Sequence, residues 1–314
     1  MMNRSKIDWC DFSWNPISGC LHGCPYCYAN KQAKRFCGDV RLNKNSNQLR
    51  REGGLWILDK PFYNVNGKVI PMPVGFEPTQ HRYRLTMPQE KKLPANIFVG
   101  SMADVFGEWV PDKWILEVFK ACEAAPQHRY LFLTKNPKRY IELSGLGYMP
   151  LSENFWFGHT VTGLEDEPLI CNSVHNSFIS IEPILKPILH KWLAKALPHT
   201  DWVIIGAESG TRRNKIIPEH EWIENIVDAC HANNIPIFMK SSIKELMGAK
   251  FIQEYPKGLE ALRPPLPKHR AFVKSVRDKK NCKQCGVALQ GKPATRMTAR
   301  YYLCPRCLKE AEYD

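Results

Sequence analysis

From residue 96 onward the hydrophobic pattern alternates between two periods. Short apolar runs rich in β-branched and aromatic residues recur at 97–100, 130–134, 155–161, 178–181, 202–206 and 235–239, lengths that suit buried strands. Between them apolar side chains return at helical spacing, as Trp114, Ile115, Val118, Phe119 and Cys122 in one segment and Trp222, Ile223, Ile226 and Val227 in another. Strand alternating with helix predicts successive βα units around a parallel sheet. Ahead of this region, residues 7–14 read as a first strand, and a helix is expected over 29–37, ended by Gly38. The total is about seven βα units. Residues from about 53 to 93 break the pattern with scattered Pro, Gly and aromatics, and read as an insertion with a hairpin turn at Asn66-Gly67.

Between the first strand and the first helix lies the stretch Gly19-Cys20-Leu21-His22-Gly23-Cys24-Pro25-Tyr26-Cys27-Tyr28, with three thiols in C-x3-C-x2-C spacing. A structural zinc site takes four protein ligands, whereas three thiolates on one loop can hold three irons of a [4Fe-4S] cluster and leave the fourth iron open. A zinc knuckle that borrows His22 as fourth ligand has the same spacing. A cluster of inert core cysteines fits less well, because these three sit among Gly, His and Pro rather than in an apolar run.

C-x3-C-x2-C with an aromatic, here Tyr26, before its last cysteine resembles the cluster loop of the radical S-adenosylmethionine (SAM) superfamily. More narrowly, Trp14-Asn15-Pro16, the cysteine loop with Tyr28-Ala29, Ser180-Ile181-Glu182-Pro183 and Gly206-Ala207-Glu208-Ser209-Gly210 resemble the phage Gp37/Gp68 family, DUF5131, over roughly residues 5 to 245. The resemblance implies an incomplete parallel (β/α) barrel. It also implies a [4Fe-4S] cluster on Cys20, Cys24 and Cys27 that binds the methionyl end of SAM and, once reduced by a donor such as flavodoxin or ferredoxin, cleaves it to a 5'-deoxyadenosyl radical.

In parallel α/β folds ligands bind at the carboxyl ends of the strands, and the residues there are polar. Gly100, Ser101 and Asp104 follow the second strand, where the radical SAM family binds the amino group of SAM through a Gly-Gly-Glu-like motif that is replaced here; Asp104 is the candidate partner of that ammonium. Lys135 after the third strand can neutralise the SAM carboxylate, and Thr160 and Thr162 after the fourth can bind ribose. Glu182 follows the fifth strand; the resemblance puts Gly206 and Glu208, after the sixth, near adenine and ribose. Lys240 closes the ring. The plainer reading of each is a residue that caps or stabilises its loop. Cys10, Cys37 or a tyrosine are candidates for returning a hydrogen atom to a substrate radical.

Composition narrows the class. With 314 residues, 44% apolar and 24% charged, the chain is globular rather than disordered. No secretory pattern and no bilayer-length apolar run is present, so a cytoplasmic protein without membrane contact is expected. In that compartment twelve cysteines favour metal ligation over disulfides. The net charge of +13 is unevenly spread, since residues 263–314 hold thirteen Lys/Arg against four Asp/Glu, which points to a nucleic acid or another polyanion. The same region contains Cys282-x2-Cys285 and Cys304-x2-Cys307, 18 residues apart, the spacing of a four-thiolate zinc site; a second iron–sulfur cluster is the alternative.

The expected organisation is a barrel over 1–262 and a basic zinc-finger module over 263–314, joined through the stiff Arg263-Pro264-Pro265-Leu266-Pro267. Three functions fit: a radical SAM enzyme modifying or repairing nucleic acid or a nucleotide, one acting on a peptide or small molecule, or a non-catalytic zinc-dependent nucleic-acid-binding protein.

Overall fold

A computed structural model describes residues 2–164, 168, 176–209, 212, 214–259, 295–298 and 301–303. The chain divides into two compact units, Met1–Leu262 and Arg263–Asp314. In the first, β1 (Asn3–Arg4) pairs antiparallel with β2 (Phe12–Trp14). The first strand is therefore shorter than the expected 7–14. Residues 7–9 turn instead, with the Cys10 N–H donating to the Ile7 carbonyl, because Trp9 leaves the sheet to fill the interior of the barrel.

Next come β3 (Ile17–Ser18), α1 (Tyr28–Phe36), α2 (Val40–Lys44), β4 (Arg50–Glu52), β5 (Leu55–Leu58) and β6 (Thr79–His81). The strands form a separate sheet in the order β3-β6-β5-β4. The expected insertion is thus tied by β3 to the residues that lead into the cysteine loop. Its strands are two to four residues long and one of them buries Thr79, Gln80 and His81, so no hydrophobic period betrays them. The turn at Asn66-Gly67 is present, closed by a Tyr63–Val69 bridge with Gly67 at φ +70°, a value that glycine adopts without steric cost.

After α3 (Met87–Glu90) the regular part begins: β7 (Asn96–Val99), α4 (Asp112–Glu123), β8 (Arg129–Thr134), α5 (Lys138–Gly145), β9 (Phe155–Val161) and β10 (Asn176–Ile181). It continues through α6 (His190–Ala196), β11 (Trp202–Ile205), α7 (His220–Ala232), β12 (Ile237–Met239) and α8 (Lys244–Met247). The main sheet runs β1-β2-β7-β8-β9-β10-β11-β12 and is parallel from β2 onward. Seven parallel strands in chain order, with no pairing between the first and the last, make an open half-barrel.

Side-chain alternation divides this sheet into two faces. On the outer face, Ile97, Val99, Tyr130, Phe132, Phe155 and Phe157 pack against α4 and α5, while Ile179, Ile181, Val203, Ile205, Ile237 and Met239 pack against α6 and α7. On the inner face, Phe98, Leu131, Trp156, Phe178, Trp202, Ile204 and Phe238 gather around Trp9. Their contacts measure the curl. Phe98 and Trp202 stand four strands apart, roughly 19 Å in a flat sheet, yet their ring centroids lie 4.7 and 6.3 Å from that of Trp9.

Close packing inside makes Gly158 a sensitive point. A Cβ there would stand 2.4 Å from the Phe178 ring, which is fully buried. Gly158→Ala is therefore expected to destabilise the fold by about 1–3 kcal/mol through overpacking, measured as the shift of the urea unfolding midpoint; an unchanged midpoint would show that the ring moves aside freely.

The second unit contains β13 (Thr295–Thr298) paired antiparallel with β14 (Tyr301–Leu303). Cys282, Cys285, Cys304 and Cys307, with the proline-rich linker and the basic run that follows it, lie outside the described residues. Among the described residues no helix is long and apolar enough to cross a membrane.

Candidate active site

At the carboxyl end of the parallel strands lies a cavity of about 410 Å³. One wall is the cysteine loop, which contributes Cys20, His22, Cys24, Tyr26, Cys27 and Tyr28; the facing walls are strand ends. The loop's course is set by its backbone. Gly19 sits at φ +86°, and a Cβ on it would stand 2.3 Å from the Glu77 carbonyl oxygen. Only glycine fits there. The Gly19 N–H donates to the Met102 carbonyl at 2.9 Å and the Cys20 N–H to the Phe76 carbonyl at 3.2 Å, so the loop is pinned both to the strand-end turn after β7 and to the segment before β6.

The Trp14-Asn15-Pro16 segment completes that turn. Asn15 donates to the Ser101 hydroxyl at 3.1 Å and accepts from the Met102 N–H at 2.8 Å, while the Tyr28 hydroxyl donates to the Ser101 carbonyl at 2.6 Å. Asp104, 4% exposed, gathers four donors: His22 Nε2 at 2.7 Å, the Thr134 hydroxyl at 2.7 Å, and the N–H groups of Lys135 and Phe106 at 2.8 and 3.0 Å. The His22 ring also meets Trp109 edge-on, centroids 4.9 Å apart. Asp104 therefore ties the cysteine loop to the ends of β7 and β8. With four donors already on it, its carboxylate acts through His22 and the backbone more than on a ligand's ammonium.

Cys20, Cys24 and Cys27 all line the cavity. Among the described residues no three His, Cys, Asp or Glu side chains come together as ligands of a single metal ion, and His22 points its Nε2 at Asp104. A cluster that takes each thiolate on a different iron wants its donors spread around it. Backbone donors are already aimed at the sulfurs: the Asn30 N–H points at Cys27 Sγ at 3.4 Å, and the His22 N–H at Cys20. Burial pushes the Cys20 thiol up to about 12, so a bound metal is what would make it a thiolate at neutral pH. The donor set fits a [4Fe-4S] cluster.

Among the strand-end candidates, Gly100, Ser101, Asp104, Lys135, Thr160, Glu182, Glu208 and Lys240 all line the cavity, and Thr162 and Gly206 do not. The Thr162 carbonyl instead accepts the N–H groups of Leu185 and Lys186. Gly206 leaves the space through which the Lys240 ammonium reaches the Glu182 carboxylate: a Cβ on it would stand 3.1 Å from Lys240 Cδ. Glu208, 6% exposed, accepts both Nε and Nη2 of Arg212 at 2.6 Å, and this guanidinium holds its carboxyl below the usual carboxylate range. Sequence reasoning missed Trp9, Phe98, Leu133 and Ser180, which also line the cavity. For Phe98, Leu133 and Ser180 the signal was inner-face parity one residue before the strand ends, which needs the strand register to be read; Trp9 comes from the turn at residues 7–9 and left no such signal.

Fold and site together define a parallel α/β half-barrel with a three-thiol pocket at the carboxyl end of its strands. Within that class, the chain belongs to the DUF5131 family, whose model, described as a protein of unknown function, matches residues 4–297. No curated protein matches the chain at a significant level. Solved structures similar to it include a spore photoproduct lyase complexed with a dinucleoside spore photoproduct, at 10% identity over 76% of this chain and 79% of that chain, TM-score 0.47. A cysteine-to-serine mutant of spore photoproduct lyase is similar at 9% identity over the same shares, TM-score 0.46.

Proposed function

We propose that the chain is a radical SAM iron–sulfur enzyme acting on nucleic acid or a nucleotide. The observation that carries this reading is a single cavity with the three thiols of the C-x3-C-x2-C loop on one side and polar ends of six successive parallel strands on the other. A [4Fe-4S] cluster held by Cys20, Cys24 and Cys27 and reduced by an external electron donor would supply the electron that cleaves SAM to methionine and a 5'-deoxyadenosyl radical. The chain's own residues bind and orient. Lys135, its ammonium 5.4 Å from the centre of the Tyr26 ring beside the thiols, offers a cation to a carboxylate; Thr160 offers a hydroxyl to ribose. The apolar floor of Trp9, Phe98 and Leu133 keeps water from the reacting atoms.

Nucleic acid is the favoured substrate on charge. Lys31, Lys34 and Arg35 stand on α1, which starts one residue after the last thiol, and residues 263–314 carry the +9 excess. Both suit a phosphate backbone. Zinc on Cys282, Cys285, Cys304 and Cys307 would supply much of the folding energy of so small a module.

The test is anaerobic reconstitution of the full chain, followed by metal analysis and electron paramagnetic resonance with and without SAM. About four irons and a signal that SAM perturbs are expected. Zinc at the cysteine loop with no SAM-sensitive signal would overturn the reading.

A further inference from the structure

Ser180 is fully buried on β10 and lines the cavity, yet its hydroxyl has no hydrogen-bond partner among the described residues. Buried polar groups are nearly always paired, and an exception calls for a cause. The register supplies the surroundings. Ser180 pairs with Thr160 on β9 and with Ile204 on β11, so two hydroxyl-bearing residues stand side by side on the inner face. Below them Phe178 lies across Gly158, and Trp9, Phe98 and Leu133 complete an apolar surface. Above them Glu182 and Lys240 neutralise one another. The inner face of the cavity therefore offers flat apolar contact, a mutually neutralised ion pair, and two buried polar groups without a partner among the described residues, the Ser180 hydroxyl and the Trp9 indole N–H.

The ligand complementary to such a place has apolar faces and a neutral hydrogen-bonding edge, which is the description of a nucleobase. We propose that Ser180 holds the edge of a base extruded from a nucleic-acid strand into the barrel and determines which base is accepted. This rests on the nucleic-acid reading of the site above. Enzymes that act on a base inside a strand take it out of the stack and read its edge by hydrogen bonds in a pocket. A site built to hydrogen-bond its ligand discriminates strongly against one that leaves its polar group unpaired.

The experiment uses the reconstituted full chain, as wild type and as Ser180→Ala. Homopolymeric single-stranded DNA and RNA 10-mers of each base, and an abasic DNA strand of equal length, are titrated by fluorescence anisotropy; SAM affinity and thermal unfolding are measured in parallel. Wild type should prefer one base over the abasic strand. Ser180→Ala should lose about tenfold of that preference, the worth of one hydrogen bond, with abasic and SAM affinities unchanged. Its unfolding temperature in the absence of ligand should not fall, because the hydroxyl it removes has no partner to lose; a serine with a structural role would behave otherwise. No base preference in wild type, or a preference that survives the substitution, overturns the proposal. Loss of SAM affinity alone would assign Ser180 to the cofactor and overturn it equally. Failure of the radical SAM reading would show separately, as iron with no SAM-sensitive signal.

Discussion

Cys24→Ala is expected to lose nearly all reconstituted iron and the SAM-sensitive signal while the chain remains folded. In the proposed cluster each of the three thiolates would hold a different iron, and the loop has no fourth cysteine to take over. The local fold does not depend on the thiol: the contact that shapes the turn is made by the Cys24 carbonyl, which accepts the Cys27 N–H at 3.1 Å. Iron analysis and visible absorbance read the loss, and far-ultraviolet circular dichroism reads the fold. Cys37→Ala is the matched control. Cys37 is buried at the end of α1, its thiol donating to the carbonyls of Lys34 and Gly38, so its removal should cost some stability and no iron. Equal iron in the Cys24 and Cys37 variants would refute the ligand assignment.

Asp104→Ala should produce the largest loss of stability among the cavity residues, about 3 kcal/mol or more. It would strip the acceptor from four donors at once, of which the Thr134 hydroxyl and the Phe106 N–H belong to buried residues, and a buried donor left unpaired costs about 1–3 kcal/mol. Asp104→Asn should recover only part of this, because its amide presents donors to a ring of donors. The effect should also reach the cysteine loop, whose His22 loses its anchor; the variant is expected to take up iron more slowly and release it faster to a chelator. Urea midpoints and the chelation rate check the two parts. A loss under about 1 kcal/mol with normal iron retention would mean that the loop is held by its backbone contacts alone.

The periodic part of the chain was open to reading because its signal is local. β7 to β12 fall within two residues of the apolar runs, and the stripe of α4 marks its buried face. The cysteines were legible for the same reason, their spacing being a property of ten consecutive residues. The turn at residues 7–9 was not: Asp8 and Trp9 look like strand residues until one sees that Asp8 accepts the Ser241 N–H at 2.7 Å and that Trp9 fills the barrel. The β3-β6-β5-β4 sheet was hidden by strands too short to show a period.

At the site, position after a strand finds eight of the ten candidates on the cavity, all but Thr162 and Gly206, and Gly206 and Asp104 show what position alone leaves out. Gly206 was expected to meet a ligand, whereas its part is to leave room for the Lys240–Glu182 pair, 58 residues apart in the chain. Asp104 was placed correctly on the cavity but not in its bonding, because four donors from three separate segments converge on it.

What the sequence alone determined, then, is the βα succession, the strand ends and the three-thiol loop, since each is written in residues a few positions apart. Tertiary structure decided which of the polar strand-end groups are already engaged and that the Ser180 hydroxyl stands buried without a partner among the described residues. Hydrogen bonds and burial depend on partners brought together by the curl of the sheet, and sequence spacing carries no record of that distance.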